Sequence, residues 1–169
     1  MFLHRLYDSN PCIVDMIQRI QTIFLLLSAF ADMICLSSCI GHYYYSVDGR
    51  PVFELYNLYL KSVFGGGRSY YNYSLFVILL IACTLTLLAI FLYKKRALQM
   101  RVTSLCMILT LGWYVPYVFF IREIASGIDV YFRWPWTVAL PAVSAVFLFL
   151  AFRWIMKDEM LVRSLDRLR

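Results

Sequence analysis

Charge is scarce in this chain of 169 residues. Asp, Glu, Lys and Arg make up 15% of it and apolar residues 62%, against about 25% and about 45–50% in an ordinary soluble domain. A unit of this size has too few polar residues to cover a water-exposed surface. Histidine occurs only as His4 and His42, which leaves no basis for a His-ligated metal. The five cysteines, Cys12, Cys35, Cys39, Cys83 and Cys106, form no CxxC pair. Four of them lie in apolar runs, where a free thiol behaves as a small hydrophobe, so no metal or redox role is expected. No paired carboxylates or Cys–His arrangement stand at catalytic spacing, and Asp48 and Glu54 are too generic to count. A non-enzyme without a cofactor is therefore expected. An internal repeat is also missing. The net charge of +6 is scattered between apolar runs instead of forming a stripe, which argues against a nucleic-acid partner.

What the chain has is long apolar runs. Crossing a hydrocarbon layer of about 30 Å takes about 20 apolar residues in a helix. Four stretches qualify, at about residues 22–40, 74–93, 102–121 and 136–155. They are apolar all round, which fits lipid on one side and protein on the other. The expectation is an all-α membrane protein: a four-transmembrane-helix bundle with a small extracytoplasmic cap between the first two helices. Pro116 and Pro141 fall inside the third and fourth spans and predict kinks, for packing or as hinges. Ala139, Ala142, Ser144 and Ala145 would let the fourth span approach a neighbour closely.

Eleven of the sixteen basic residues cluster on one side. Arg5 and Arg19 precede the first span, Lys94, Lys95, Arg96 and Arg101 join the second to the third, and Arg153, Lys157, Arg163, Arg167 and Arg169 end the chain. The positive-inside rule places that side, and with it both termini, in the cytoplasm. Tyr93, Trp134, Trp136 and Trp154 fall at expected interfaces, where amphipathic rings are favoured.

The long outer segment, residues 41–73, is rich in tyrosine. Asp48-Gly49 between β-prone runs signals a β-hairpin, and Gly65-Gly66-Gly67 marks a break. This cap is either a partner surface or a lid over the helix ends. The second outer connection, residues 122–133, is short and of mixed charge. After the fourth span, residues 156–169 pattern as an amphipathic tail, with Glu159 four residues before Arg163. Its basic face suits anionic lipid headgroups or a protein partner.

Asp32 stands in the middle of the first span, where an acid costs about 2.5 kcal/mol or more. It is a candidate intramembrane polar site: a proton or cation coupling group, or a protonated acid hydrogen-bonded to Thr84, Thr86 or Thr110. Leu36-Ser37-Ser38-Cys39 resembles a lipoprotein cleavage box, but an acid inside the apolar run argues against a removable signal. At the inner end, Gln18, Arg19 and Gln21 open the first span, and Arg19 is placed to pair with Asp158, Glu159 or Asp166 of the tail.

Three segments together carry a resemblance: MIQRIQTIFLLLSAF from Met16, YKKRALQMR before the third span, and the closing DEMLVRSLDRLR. They resemble a bacterial family known as domain of unknown function family 4293, small four-span membrane proteins that open MIQRIQT, carry a basic KKR-type inner turn and end LVRSxDRLR. The resemblance covers residues 16–169 and implies the inner membrane, a topology and no activity. Its motif residues here are Gln18, Arg19, Gln21, Asp158, Glu159, Arg163, Ser164, Asp166 and Arg167. It includes no acid at the position of Asp32. Residues 1–15 lie outside it and are expected to be a misassigned or disordered extension. The leading expectation for function is a non-enzymatic accessory or assembly factor, with the lipid bilayer and a membrane protein as partners. The alternative is a small homo-oligomeric transporter or channel subunit using Asp32.

Overall fold

The computed structural model describes residues 11–65, 67–69, 73–127 and 129–166. Helices account for 70% of the chain. The order is α1 (Pro11–Ser37), β1 (Cys39–Tyr45), β2 (Pro51–Tyr56), β3 (Leu60–Ser62), β4 (Arg68–Ser69), α2 (Tyr73–Phe91), α3 (Arg96–Gly112), α4 (Tyr114–Gly127), β5 (Val130–Arg133) and α5 (Leu140–Asp166). Short 3₁₀ turns, Leu92–Lys94 and Trp136–Ala139, precede α3 and α5. Four helical stretches are long and apolar enough to cross a membrane: Ile20–Ser37, Tyr73–Phe91, Arg96–Ser126 and Trp136–Lys157. The expected extension at residues 1–15 lies, for its first ten residues, outside those described, and α1 begins at Pro11.

Each helix shows the others one ladder of residues spaced alternately four and three apart. In α1 it runs Gln21, Leu25, Ser28, Asp32, Cys35; in α2 Leu75, Leu79, Ala82, Thr86, Ala89; in α5 Ser144, Leu148, Ala151, Ile155. In α3 it runs Gln99, Thr103, Cys106, Thr110 and continues without a phase change through Trp113 to Tyr117 of α4. A repeat of 3.5 residues keeps one seam facing a neighbour over many turns. The helices close a ring, α1 against α2, α2 against α3, α3 against α5 and α5 against α1. Many rungs are small or polar, set between larger ones such as Leu25, Leu79, Trp113 and Leu148, while further large apolar side chains point outward, among them Phe30, Ile108, Val115 and Phe119. Of the expected close-approach residues, Ser144 and Ala145 are buried, but Ala139 and Ala142 are exposed.

The prolines act at helix joints. Pro116 cannot donate to the Gly112 carbonyl, and the helix is interrupted one residue on, at Trp113, between α3 and α4. Pro141 lies in the first turn of α5, where a missing N–H costs little, so it marks a helix start and not a mid-span kink. Its neighbour Ala142 would normally donate to the Val138 carbonyl. Instead the Tyr114 hydroxyl sits between them, accepting from the Ala142 N–H at 3.1 Å and donating to the Val138 carbonyl at 2.7 Å.

The expected all-α description needs amendment, because a five-stranded antiparallel sheet in the order β4-β3-β2-β1-β5 covers one end of the helices. The Asp48-Gly49 turn joins β1 to β2 as the sequence indicates, with Gly49 at φ 61°. The fifth strand comes from the connection read as a short mixed-charge link. In Val130–Arg133, Val130 and Phe132 are half-buried while Tyr131 and Arg133 are exposed, an alternation too short to stand out in the sequence. The first span also ends sooner than expected: Cys39 and Ile40 are apolar but already belong to β1.

Candidate functional site

Two places concentrate polar chemistry. The first is the sheet's outer face. Its inner face carries Gly41, Tyr43 and Leu55, all buried against the helices. Pairing then aligns Arg133, His42, Glu54, Lys61 and Arg68 in one transverse row, a residue from each strand. The row has one acid, Glu54, held by Lys61 at 3.3 Å, and is otherwise basic. Aromatic rings flank it: Tyr44 stacks on Tyr131 at 5.4 Å, Tyr56 on Tyr59 at 4.7 Å, and the Arg68 guanidinium lies 5.2 Å from the Tyr59 ring centre. Partial burial, followed by the Glu54 charge, pushes the Tyr56 hydroxyl above the usual tyrosine range.

The sheet is fixed to the helices by buried side-chain bonds. Asn57 is fully buried. Its Nδ2 donates to the Cys35 carbonyl at the end of α1 at 2.7 Å, and its Oδ1 accepts from Trp113 Nε1 at 3.2 Å. Tyr117 donates to the Ile40 carbonyl at 2.7 Å, and Thr137 to the Cys39 carbonyl at 2.6 Å. Trp113 and Tyr117 stack at 4.8 Å, and Trp134 meets Tyr117 edge-on. The Cys39 thiol donates to the Gly41 or Leu55 carbonyl at 3.2 and 3.3 Å, and burial pushes it above the ordinary cysteine range. A thiol shifted in that direction carries less of the reactive thiolate at neutral pH.

The second place is Asp32. Its side chain is wholly buried, between a sheet-end cluster that includes Cys35, Leu79 and Trp113 and an opposite-end cluster of Leu25, Ala89, Cys106, Leu148 and Ala151. Neither carboxyl oxygen has a hydrogen-bond partner among the described residues. Ser144 lies beside it and also pairs with Ser28 at 2.8 Å, a pair in which either hydroxyl can donate, so that the Ser144 proton is free for the carboxyl only when Ser28 is the donor. The expected threonine partners are committed elsewhere. Thr84 is exposed and donates to the Ile81 carbonyl, Thr86 donates to Ala82, and Thr110 to Cys106 and Met107.

Gln21 is buried near the opposite end of α1, with Nε2 unpartnered among the described residues. The side chains of Gln18, Arg19, Asp158, Glu159, Arg163, Ser164 and Asp166, and all of Arg167, lie outside the described residues, so the expected Arg19 pairings are not among the contacts seen. The backbone does bring the two motifs to one end, since α1 starts and α5 finishes away from the sheet. No group of three His, Cys, Asp or Glu side chains that could hold a metal occurs among the described residues.

Sequence reasoning missed Asn57, Trp113, Tyr114, Tyr117 and the transverse row. The 3.5-residue spacing from Gln99 to Tyr117 was the available signal for two of them. Comparison with curated proteins gives no match. The family model described as Domain of unknown function (DUF4293) matches residues 17–168, nearly the whole chain, and the protein belongs to that family.

Proposed function

We propose that the chain is a multi-pass protein of the bacterial inner membrane, with the KKR turn and both termini in the cytoplasm and the sheet on the far side. Its role is that of a non-enzymatic accessory or assembly factor that presents the outer face of the sheet to an anionic partner. The membrane assignment draws on helices that bury polar rungs such as Asp32, Thr86, Gln99 and Thr103 while exposing many large apolar side chains such as Phe30, Ile108 and Phe119, an outer face unlike that of a soluble protein. The observation that carries the role is the clasp of Asn57, Tyr117 and Thr137, which holds a basic, tyrosine-lined row at a fixed position over the helices. A rigid scaffold lowers the ordering cost of binding.

Two measurements test this. Val47 is 91% exposed in the β1–β2 turn. In intact cells, a Val47→Cys chain should react with a membrane-impermeant maleimide and a Lys95→Cys chain should not; the opposite pattern overturns the orientation. Affinity purification in mild detergent should recover a heterologous partner that a Lys61→Glu/Arg68→Glu/Arg133→Glu chain loses. Unchanged recovery by that variant would refute the role given to the row.

A second reading is favoured by the unpartnered acid: a small homo-oligomeric transporter or channel subunit that binds a proton or cation at Asp32. An Asp32→Asn chain that folds normally but abolishes ion-coupled solute uptake in proteoliposomes supports it, and unaltered uptake ends it.

A further inference from the structure

The middle turns of α5 carry two cations on one outward face, Arg153 and Lys157, spaced four residues apart. With Leu150 and Trp154 they line a cavity of about 230 Å³. Lys157 Nζ lies 5.1 Å from the centre of the Trp154 ring, a cation–π distance that holds the ammonium beside the indole. Neither cation is ion-paired among the described residues; the acids of the following turn, Asp158 and Glu159, have side chains outside them. Toward the sheet end, the same face continues as an apolar stripe: Leu150 is half-buried, and Val146 and Val143 are exposed. The order along one helix face is thus cation, cation, then hydrocarbon, which is the order of an amphiphile's own parts.

We infer that Arg153 and Lys157, with Trp154 beside them, bind the phosphate of an anionic phospholipid whose acyl chain lies along Leu150, Val146 and Val143. The inference rests on the membrane reading above. Guanidinium matches a phosphate bidentately and the ammonium adds a second positive charge. Indole belongs at headgroup depth. Two cations facing one phosphate leave a positive surplus, to which phosphatidylcholine adds a repelling ammonium and phosphatidylglycerol adds no further cation, so phosphatidylglycerol outcompetes phosphatidylcholine. The stripe distinguishes a lipid from free phosphate, which has nothing to place on Val146 and Val143.

Native mass spectrometry of the detergent-purified full chain tests the site with three probes: phosphatidylglycerol, phosphatidylcholine and inorganic phosphate. The wild-type chain should retain phosphatidylglycerol over phosphatidylcholine, and inorganic phosphate should not displace it. An Arg153→Gln/Lys157→Gln chain should lose about 30-fold in retention of the anionic lipid, roughly tenfold or less per charge at a membrane surface. Equal retention of both lipids, or retention unaffected by the double substitution, overturns the proposal. Displacement by inorganic phosphate overturns the lipid as the source and leaves a phosphate site. The wild-type comparisons stand even if the variant fails to fold. A chain that stays detergent-dependent yet shows no lipid preference sinks this site without touching the membrane assignment.

Discussion

Asn57→Ala is the sharpest single perturbation of the clasp. Asn57 is fully buried and makes two bonds, to the Cys35 carbonyl at 2.7 Å and from Trp113 Nε1 at 3.2 Å. The two losses are unequal. The Cys35 carbonyl also accepts the Ser38 N–H at 3.3 Å, so it keeps a partner and forfeits an ordinary bond worth about 0.5–1.5 kcal/mol. The indole N–H keeps none and bears the penalty of an unsatisfied buried donor, about 1–3 kcal/mol. The expected destabilisation is therefore about 2–4 kcal/mol, most of it at Trp113. The assay is unfolding in mixed micelles titrated with SDS, followed by circular dichroism. A double-mutant cycle with Trp113→Phe isolates the shared bond: once the indole is gone, Asn57→Ala should cost at least about 1 kcal/mol less. If Asn57→Ala shifts stability by under about 0.5 kcal/mol, or if the cycle is additive, the clasp does not hold the sheet as described.

Three further outcomes follow from the same contacts. Gly41→Ala should cost about 1–3 kcal/mol in the same titration, because a Cβ there would stand 2.5 Å from the Phe132 ring, which Tyr43 and Trp134 hold in place at 4.9 and 5.2 Å; wild-type stability would show that the ring moves freely. Burial raises the Tyr43 hydroxyl above the usual tyrosine range, so the unfolded chain releases that proton first, near pH 10; this contribution is constant below that pH and falls above it. A Tyr43→Phe chain should lack that part of the alkaline decline, and identical pH profiles for the two chains would contradict the burial. Lys61→Ala breaks only the half-exposed pair with Glu54 and should cost no more than about 1 kcal/mol; a loss comparable to that of Asn57→Ala would mean that the outer face, and not the buried clasp, fixes the sheet.

The four long helices are legible in the sequence because run length and low charge suffice to mark them. The Asp48-Gly49 turn is legible because few residues other than glycine take its positive φ. The inward faces are harder to read. In a soluble helix the apolar stripe marks the core, but here apolar residues lie all round, and what singles out the inward face is the 3.5-residue spacing of its small and polar residues among buried leucines. Thr103, Thr110, Ser144 and Gln99 look like blemishes in a hydrophobic run unless that period is sought. The third span outruns its apolar centre, since Arg101 and Glu123 both lie within Arg96–Ser126 at exposed positions and neither ends the helix there. β5 is lost for a different reason: four residues give only two alternations, and its place in the sheet is decided by β1, more than eighty residues earlier in the chain.

Asp32 separates from the other polar rungs on chemical grounds. Serine and threonine in a helix satisfy themselves by donating to the carbonyl three or four residues back, as Thr86, Thr103 and Thr110 do. Their presence inside a helix needs no outside partner. A carboxylate has only acceptors, and a helix interior has no spare N–H to give it. Local geometry therefore supplies little to Asp32: Ser28 and Ser144 share one hydrogen bond, in which either can donate, so at most one hydroxyl proton, that of Ser144, is left to turn toward the carboxyl. An acid so placed is matched only by something that brings positive charge or a donor: a proton, a cation or another polypeptide. Substituting Asn at this position keeps the shape and removes the ionisable charge, leaving a neutral amide that costs less to bury, so stability should stay within about 0.5 kcal/mol of the unaltered chain, or rise. A loss of about 2 kcal/mol or more would mean that the carboxyl already has a strong structural partner, and the case for Asp32 as a binding group would fail with it.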